Sequence, residues 1–150
     1  MRRLTNIKPA SLNESVERLE ADGARAAVVG GGTDLLGMIK DDLTPAEVLV
    51  NLKGLRERGS LDLVETETGG IRVGGLVTLT KLSTHPLVAT QYRALAEAAG
   101  SVATPQIRNV GTVAGNICQR PWCWYFRQNF PCYKHGGNRC FSRVGENEFN

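Results

Sequence analysis

Four cysteines near the C-terminal end constrain this chain more than any other feature of its sequence. They follow the spacing C-x4-C-x8-C-x7-C and are the only cysteines among 150 residues, at Cys118, Cys123, Cys132 and Cys140. Aromatic residues are concentrated beside them, because only Tyr92 of the nine Phe, Trp and Tyr residues precedes Trp122. The same segment carries cations, at Arg120, Arg127, Lys134, Arg139 and Arg143. Thiols, large rings and cations together predict a buried metal or cluster site rather than an ordinary core.

Several groups can occupy a site of four thiolates. They can bind a [4Fe–4S] cluster, a [2Fe–2S] cluster or a structural zinc ion, or they can pair as disulfides. Zinc sites usually contain two close pairs such as C-x2-C, whereas gaps of eight and seven residues favour a loop around a larger object. A [4Fe–4S] cluster is therefore favoured, with zinc, [2Fe–2S] and unligated thiols as alternatives. His135 is a possible ligand, although four cysteines make a surface position the better expectation for it.

The residues around these cysteines fit a cluster. A cubane with four thiolate ligands carries net negative charge, which Arg120, Arg127, Lys134 and Arg139 would offset. Large side chains would exclude water and help to set the reduction potential, namely Trp122, Trp124, Tyr125 and Phe126.

The N-terminus bears on location. It has two arginines but no apolar stretch after them, so it predicts neither a secretory signal nor a full twin-arginine signal. Without export, disulfides are disfavoured. No apolar run is long enough to span a bilayer. The chain is therefore expected to stay in the cytoplasm, or to reach the periplasm only if it is exported with a partner.

Charge is unevenly distributed along the chain. Residues 1–70 carry nine Lys or Arg and twelve Asp or Glu, whereas residues 71–150 carry nine and three. A basic half suits nucleic acid, an anionic cofactor or a negatively charged cluster, and scattered solvated cations are the plainer alternative. The length suits one domain with a core or two small lobes, and Gly54, Gly59 and Ser60 favour a boundary near residues 53–60.

Local patterns predict a mixed set of helices and strands. Ser11 and Glu14 form a capping box that begins a helix over residues 11–21, before Gly23. Strands are predicted at 25–29 and 48–52, and a hairpin from 61–65 and 71–74. Further helices are predicted from Thr78 to Leu82 and over 92–99, the second ended by Gly100.

Two glycine-containing motifs suggest a ligand site. The first, VGGGTDL at 29–35, follows a predicted strand, where glycines allow positive φ and the amides at the next helix start attract an anion. It matches neither G-x-G-x-x-G nor a P-loop, so a flexible turn is an equal alternative. The second spans 104–116 and is predicted to be a polar loop, either capping nearby backbone or forming a second wall of the site. Its polar groups are Thr104, Arg108, Asn109, Thr112 and Asn116.

Together, VVGGGTDLL at 28–36 and ATPQIRNVGTVAGNI at 103–117 resemble the FAD-binding (medium) subunit of the molybdenum hydroxylases. That family includes xanthine dehydrogenase, carbon monoxide dehydrogenase and aldehyde oxidoreductases. The resemblance implies that the first motif wraps the FAD pyrophosphate, through Val29, Gly30, Gly31, Gly32, Thr33, Asp34 and Leu35. It implies that the second lines the flavin side, through Thr104, Asn109, Gly111, Thr112, Gly115 and Asn116. Ala114 stands where the family usually has glycine, so its methyl group is expected to crowd the cofactor slightly.

The cysteine segment resembles the members of that family that hold an extra [4Fe–4S] cluster in the flavin subunit. This implies that Cys118, Cys123, Cys132 and Cys140 are the ligands. The implied fold is α+β, a two-lobed FAD-binding domain (PCMH-like) with an iron–sulfur loop at 117–141. Its lobes would be residues 1–55 and 56–150. Family members continue well beyond Asn150, so the second lobe is expected to be incomplete.

The resemblance also implies a function. The chain would be the electron-transfer flavin subunit of an oxidoreductase, with FAD and a [4Fe–4S] cluster as cofactors. Its partners would be a molybdenum-cofactor-binding large subunit and a [2Fe–2S] small subunit, with neither nucleic acid nor membrane involved. No residue is expected to act as a nucleophile or general base, which agrees with a relay role.

The competing hypothesis is a zinc-stabilised nucleic-acid-binding module, favoured by the basic half, the four cysteines and the interleaved aromatics. It gives no purpose to the acidic half or to the two glycine motifs.

Overall fold

The computed structural model describes residues 3–55 and 59–144, apart from the side chain of Ser60. The predicted boundary near residues 53–60 falls partly on residues 56–58, which lie outside the described residues. Helices and strands are mixed along the chain, which confirms the predicted α+β class.

The N-terminal part is a three-stranded parallel sheet with helices between its strands. Its strands are β1 (Thr5–Ile7), β2 (Ala26–Val29) and β3 (Val48–Asn51), and β3 lies in the centre. Helix α1 (Leu12–Asp22) joins β1 to β2, and α2 (Leu35–Lys40) follows β2. The glycine motif therefore lies at the C-terminal end of a parallel strand, which is where such sheets usually bind ligands.

Helix α1 begins where its capping residues predict. The Ser11 hydroxyl accepts a hydrogen bond from the Glu14 amide (3.1 Å), and the Glu14 carboxylate accepts one from the Ala10 amide (2.7 Å). Gly23 follows the helix with φ of 52°. These interactions span at most four residues, which is why the sequence alone predicts them.

The remaining chain begins with an antiparallel hairpin and continues with helices. The hairpin consists of β4 (Val64–Glu67) and β5 (Gly70–Val73), so the predicted hairpin is confirmed with its first strand three residues later than expected. The helices are α3 (Leu79–Thr84), α4 (Pro86–Gln91), α5 (Arg93–Ser101), α6 (Pro105–Val110), α7 (Val113–Ile117) and α8 (Trp124–Arg127). Short 3-10 turns occupy Gly23–Arg25, Leu52–Gly54, Gly59–Asp62 and Tyr133–His135.

Two details of the helices differ from the sequence prediction. The predicted stop at Gly100 is wrong, because α5 continues through Gly100 to Ser101. The motif at 104–116 was expected to be a loop, but it forms α6 and α7, each begun by a threonine. These helices have six and five residues, too few to show a hydrophobic period in the sequence.

Buried side chains form two clusters. One packs Val29, Ile39, Ala46 and Leu49 around the parallel sheet. The other packs Val77, Leu79, Leu82, Val88, Ala96 and Ala99 among the helices. The first lies within residues 1–55 and the second within 56–150, while the division into two lobes at residue 55 stays a prediction. Within residues 3–55 and 59–144, no helix has the length and apolar character needed to cross a membrane.

Candidate functional site

A cavity of about 600 Å³ lies between the two glycine motifs and the cysteine segment. All of the predicted cofactor residues line it except Thr104 and Asn109. The lining consists of Val28, Val29, Gly30, Gly31, Gly32, Thr33, Asp34, Leu35, Met38, Leu79, Val102, Ala103, Ile107, Gly111, Thr112, Gly115, Asn116, Cys118, Gln119 and Trp122. The fold thus joins two motifs that are about seventy residues apart in the sequence, at one cavity whose volume suits a small-molecule ligand.

The glycines of the first motif allow the second motif to pack directly against it. A Cβ atom on Gly31 would lie 2.4 Å from the Val110 carbonyl oxygen and 2.9 Å from Gly111 Cα. A Cβ atom on Gly30 would lie 2.9 Å from Thr112 Oγ1. Real side chains do not tolerate these distances, so at both positions the packing within the protein itself requires glycine. At Gly32 the reason is the backbone, because its φ of 75° strongly favours glycine.

Backbone amides of the first motif remain available to a ligand. The amides of Gly31, Gly32 and Thr33 donate no hydrogen bond to any group of residues 3–55 or 59–144. Gly31 and Gly32 are partly buried and Thr33 is exposed, so these amides can be reached from the cavity. Successive unpaired amides in a glycine turn form a concavity that suits an anion. This arrangement fits a phosphate-bearing cofactor.

The second motif is fixed to the segment before α3. The Leu79 amide donates to the Gly111 carbonyl (3.0 Å), and the Val113 amide donates to the Val77 carbonyl (2.9 Å). Thr112 is buried and accepts a hydrogen bond from the Gly115 amide (3.2 Å), which begins α7. This wall of the cavity is therefore held by backbone bonds on both sides of Thr112.

Thr104 and Asn109 do not line the cavity. Thr104 begins α6 and its hydroxyl accepts from the Ile107 amide (3.4 Å). The Asn109 side chain accepts a hydrogen bond from the Thr80 hydroxyl on α3 (2.7 Å). Thr104 therefore caps nearby backbone, which was the structural alternative for this motif, whereas Asn109 joins α6 to α3.

Arg108 also has a structural contact. Its guanidinium donates to the carbonyls of Val102 (2.8 Å) and Ala103 (3.1 Å). Ala103 has a φ of 42°, which is unfavourable for a residue with a side chain, and it lines the cavity. Arg108 therefore stabilises an unusual turn in the cavity wall.

The methyl group of Ala114 faces away from the predicted contact. It lies 3.2 Å from the position that a Cβ atom on Gly75 would occupy, and Ala114 is not among the residues that line the cavity. This part of α7 packs against residue 75, and the expected crowding of the cofactor by Ala114 stays a prediction.

Asp34 joins the first motif to the cysteine segment. Its Oδ1 accepts from Arg127 Nη2 (2.7 Å) and its Oδ2 accepts from the Arg120 amide (2.9 Å). The side chains of Arg127 and Asp34 are 7% and 16% exposed. Arg127, expected from the sequence to offset the charge of a cluster, thus forms an ion pair with the glycine motif.

The four cysteines lie in different environments. Cys118 is exposed and lines the cavity, Cys132 is buried, and Cys123 and Cys140 are partly buried. All four are described, and no disulfide joins any two of them. Among residues 3–55 and 59–144, no three His, Cys, Asp or Glu side chains are placed to hold a metal ion. The cysteines in this arrangement do not fit a cluster with four thiolate ligands.

The aromatic residues of the segment do not form the expected shell. Trp122 and Trp124 are 72% and 56% exposed, so the expectation that they exclude water is wrong for this arrangement. Instead, Tyr125, Phe130 and Phe141 pack together with ring centroids 5.4–5.6 Å apart. The segment therefore has a small aromatic core of its own.

His135 takes part in the same packing. Its ring stacks on Phe126 at 4.8 Å, and its Nε2 lies 2.9 Å from the Phe126 carbonyl oxygen. His135 is partly buried rather than a simple surface residue, and its amide donates to the Cys132 carbonyl (2.8 Å). Within the described ranges, its side chain belongs to no group of three potential metal ligands.

Cys123 has an altered thiol. Burial alone raises its pKa, but hydrogen bonds from Ser142 and from the backbone at Phe126 and Tyr125 outweigh that effect. The net result is a pKa below the ordinary value for cysteine. The Cys123 and Ser142 side chains are 3.5 Å apart.

Several residues of the cavity wall are not among the cofactor residues that the sequence predicts. They are Val28, Met38, Leu79, Val102, Ala103, Ile107, Gln119 and Trp122. The sequence does draw attention to Trp122, because it is the first aromatic residue after the second motif. No sequence pattern indicates that Met38 and Leu79 line the cavity, since their place in its wall depends on how separate helices pack.

Comparison with known proteins yields consistent similarities. The family described as the FAD binding domain in molybdopterin dehydrogenase matches residues 2–121. The nicotinate dehydrogenase FAD-subunit of Eubacterium barkeri is 40% identical over 91 residues, which are 61% of this chain and 30% of that protein. The aldehyde oxidoreductase FAD-binding subunit PaoB of Escherichia coli is 36% identical over 140 residues, which are 91% of this chain and 42% of that protein.

A solved structure of carbon monoxide dehydrogenase from Hydrogenophaga pseudoflava has a similar fold, with a TM-score of 0.71 and 31% identity. The similarity covers 77% of this chain and 39% of that one. This chain therefore spans well under half the length of these relatives.

Proposed function

This chain belongs to the family of FAD-binding domains of molybdopterin dehydrogenases, and from this premise we propose that it binds FAD as part of an electron-transfer flavin subunit. The observation that carries the proposal is the cavity between the two glycine motifs, in which three successive amides have no partner among the described residues. When bound, FAD would supply the redox chemistry, and the protein would supply binding and orientation.

Each motif has a proposed part in binding. The amides of Gly31, Gly32 and Thr33 would donate to the pyrophosphate, because they are consecutive and unpaired. Gly111, Thr112, Gly115 and Asn116 would form the wall on the flavin side, held in place by the bonds to residues 77 and 79. Thr104 would act by capping the start of α6, and Asn109 by joining α6 to α3.

From its similarity to these relatives, we propose that the chain works as one subunit of an oxidoreductase complex. Subunits named for FAD in nicotinate dehydrogenase and aldehyde oxidoreductase support an oxidoreductase assembly for this chain as well. Its partners would be a molybdenum-cofactor-binding large subunit and a [2Fe–2S] small subunit, with electrons passing between them and an external acceptor. It would work in the cytoplasm, or in the periplasm if exported with a partner.

Flavin binding by the purified chain tests this function. We expect FAD to bind and Gly32→Ala to weaken binding about tenfold, because a side chain disfavours the positive φ that aims the amides. Gly69→Ala is the matched control, since Gly69 also has positive φ (80°) but lies in the hairpin turn with no atom near its Cβ position. Absence of FAD binding by the wild-type chain, or equal effects of the two substitutions, would contradict the proposal.

A [4Fe–4S] cluster in the cysteine segment is a second proposal. The cysteine spacing supports it, and so does the match to the aldehyde oxidoreductase subunit, which covers 91% of this chain and so extends into this segment. Since the described cysteines are not gathered at one point, binding would require the four thiols to move towards one another.

Metal analysis of protein purified without oxygen tests the cluster. We expect iron and sulfide, with most of both lost in each of the four single Cys→Ser variants and retained in His135→Gln. A colourless protein containing one zinc ion would instead support the nucleic-acid-binding alternative. Full iron content in Cys118→Ser would remove Cys118 from the ligand set.

A further inference from the structure

The buried ion pair between Asp34 and Arg127 connects the first glycine motif to the cysteine segment. We propose that Asp34 is a positioning residue, which holds the cysteine segment against the first glycine motif and so completes the cavity wall at Trp122. In this role Asp34 does not contact the cofactor. The expected effect of Asp34 on FAD affinity rests on the proposed function. Its role in holding the cysteine segment against the glycine motif does not.

Asp34 lies where the first glycine motif, helix α2 and the cysteine segment meet. It lies at the N-terminal end of α2, but its side chain makes no capping hydrogen bond there. Both carboxylate oxygens accept hydrogen bonds from the cysteine segment, from the Arg127 side chain and the Arg120 amide. These donors are 93 and 86 residues away in the sequence, so the carboxylate bonds two distant parts of the chain.

Arg127 depends on this carboxylate. Its Nε and Nη1 are buried and have no hydrogen-bond partner within the described part of the chain. Its guanidinium lies 4.3 Å from the ring centroid of Trp122, which lines the cavity. Removing Asp34 would therefore leave a buried charge uncompensated, and the segment that carries Trp122 would separate from the glycine motif.

The pair also determines the charge beside the unpaired amides. Asp34 follows Thr33 directly, so an uncompensated carboxylate there would repel an anion bound by those amides. Arg127 neutralises it. This predicts that loss of Arg127 harms anion binding more than loss of Asp34, and that removing both is less harmful than removing Arg127 alone.

The experiment uses Asp34→Asn, Arg127→Gln and the double variant in a Trp124→Phe background. Since the chain has two tryptophans, Trp122 is then the only one, and its energy transfer to bound FAD reports the closed wall. Its fluorescence anisotropy without FAD reports whether the segment is held. Glu97→Gln is the control, because the Arg93–Glu97 pair has a similar length (2.7 Å) but is exposed.

We expect Asp34→Asn to raise the FAD dissociation constant about tenfold and to lower both Trp122 signals. Arg127→Gln should bind FAD more weakly still, the double variant more tightly than Arg127→Gln, and Asp34→Glu should retain most affinity. Glu97→Gln should match the parent protein.

Either of two results with Asp34→Asn and Arg127→Gln would overturn the proposal. One is an unchanged Trp122 anisotropy in Asp34→Asn. The other is simple additivity of the two substitutions in FAD affinity, since interacting partners are not additive. If the parent protein binds no FAD, the proposed function fails, but anisotropy still decides whether Asp34 holds the segment. Circular dichroism checks that each variant is folded. If Asp34→Asn is unfolded, Asp34→Glu is measured in its place. A Trp122 anisotropy in Asp34→Glu below that of the parent protein would then count against the proposal.

Discussion

Replacing Gly31 by alanine is expected to destabilise the fold at the contact between the two glycine motifs. The added Cβ would lie 2.4 Å from the Val110 carbonyl oxygen and 2.9 Å from Gly111 Cα, against an ordinary contact distance above 3.4 Å. Both neighbours are backbone atoms, so no side chain can rotate to relieve the overlap and the motifs must separate. Overpacking of this kind costs about 1–3 kcal/mol. At roughly 2–4 °C per kcal/mol, the unfolding temperature should fall by several degrees.

Gly100→Ala is the matched substitution for this test. A Cβ on Gly100 would lie 3.7 Å from the Ser83 side chain, an ordinary contact, and the residue is inside helix α5. Alanine should therefore stabilise the protein there by up to about 1 kcal/mol. Thermal unfolding followed by circular dichroism measures both variants. If Gly31→Ala unfolds at the wild-type temperature, the close packing of the motifs does not exist as described.

Three further predictions concern single side chains. Ser142→Ala should raise the pKa of Cys123, so that alkylation of this thiol requires a higher pH. Peptide mass spectrometry measures the alkylation. An unchanged dependence of alkylation on pH would contradict the hydrogen bond. Because folding lowers this pKa, its stabilising contribution is present above the unfolded pKa and is lost as the pH falls through the folded one. Ala103→Gly should stabilise the protein by up to about 1 kcal/mol in urea unfolding, since glycine tolerates the positive φ, and destabilisation would argue against strain there. Thr112→Val should cost about 1 kcal/mol or more by the same assay, because the Gly115 amide loses its acceptor, and an unchanged stability would show that this cap contributes nothing.

Elements whose signals are local could be predicted from the sequence alone. The start of α1 depends on Ser11 and Glu14, which interact within four residues of each other. Strands β2 and β3 and the hairpin follow from short runs of suitable side chains and turn residues. The two glycine motifs could be recognised because their residues are contiguous. The residues of the first motif and most of the named residues of the second line the cavity.

The reasons for particular residues in those motifs come from contacts between distant parts of the chain. Gly31 is required by the backbone at Val110, about eighty residues further along, and Ala114 faces residue 75 rather than the cavity. Helices α6 and α7 are too short for a periodic signal, so their threonine caps became evident only in the fold.

The same limit applies to charge. With eighteen Lys or Arg and fifteen Asp or Glu, the sequence offers many possible pairs and no means to choose among them. Arg127 was assigned to the cysteines because it is near them in the sequence, whereas its partner is Asp34. A buried ion pair needs two charges within about 4 Å and shielded from water. The path of the chain through space, rather than the spacing of residues along it, decides which charges meet that condition.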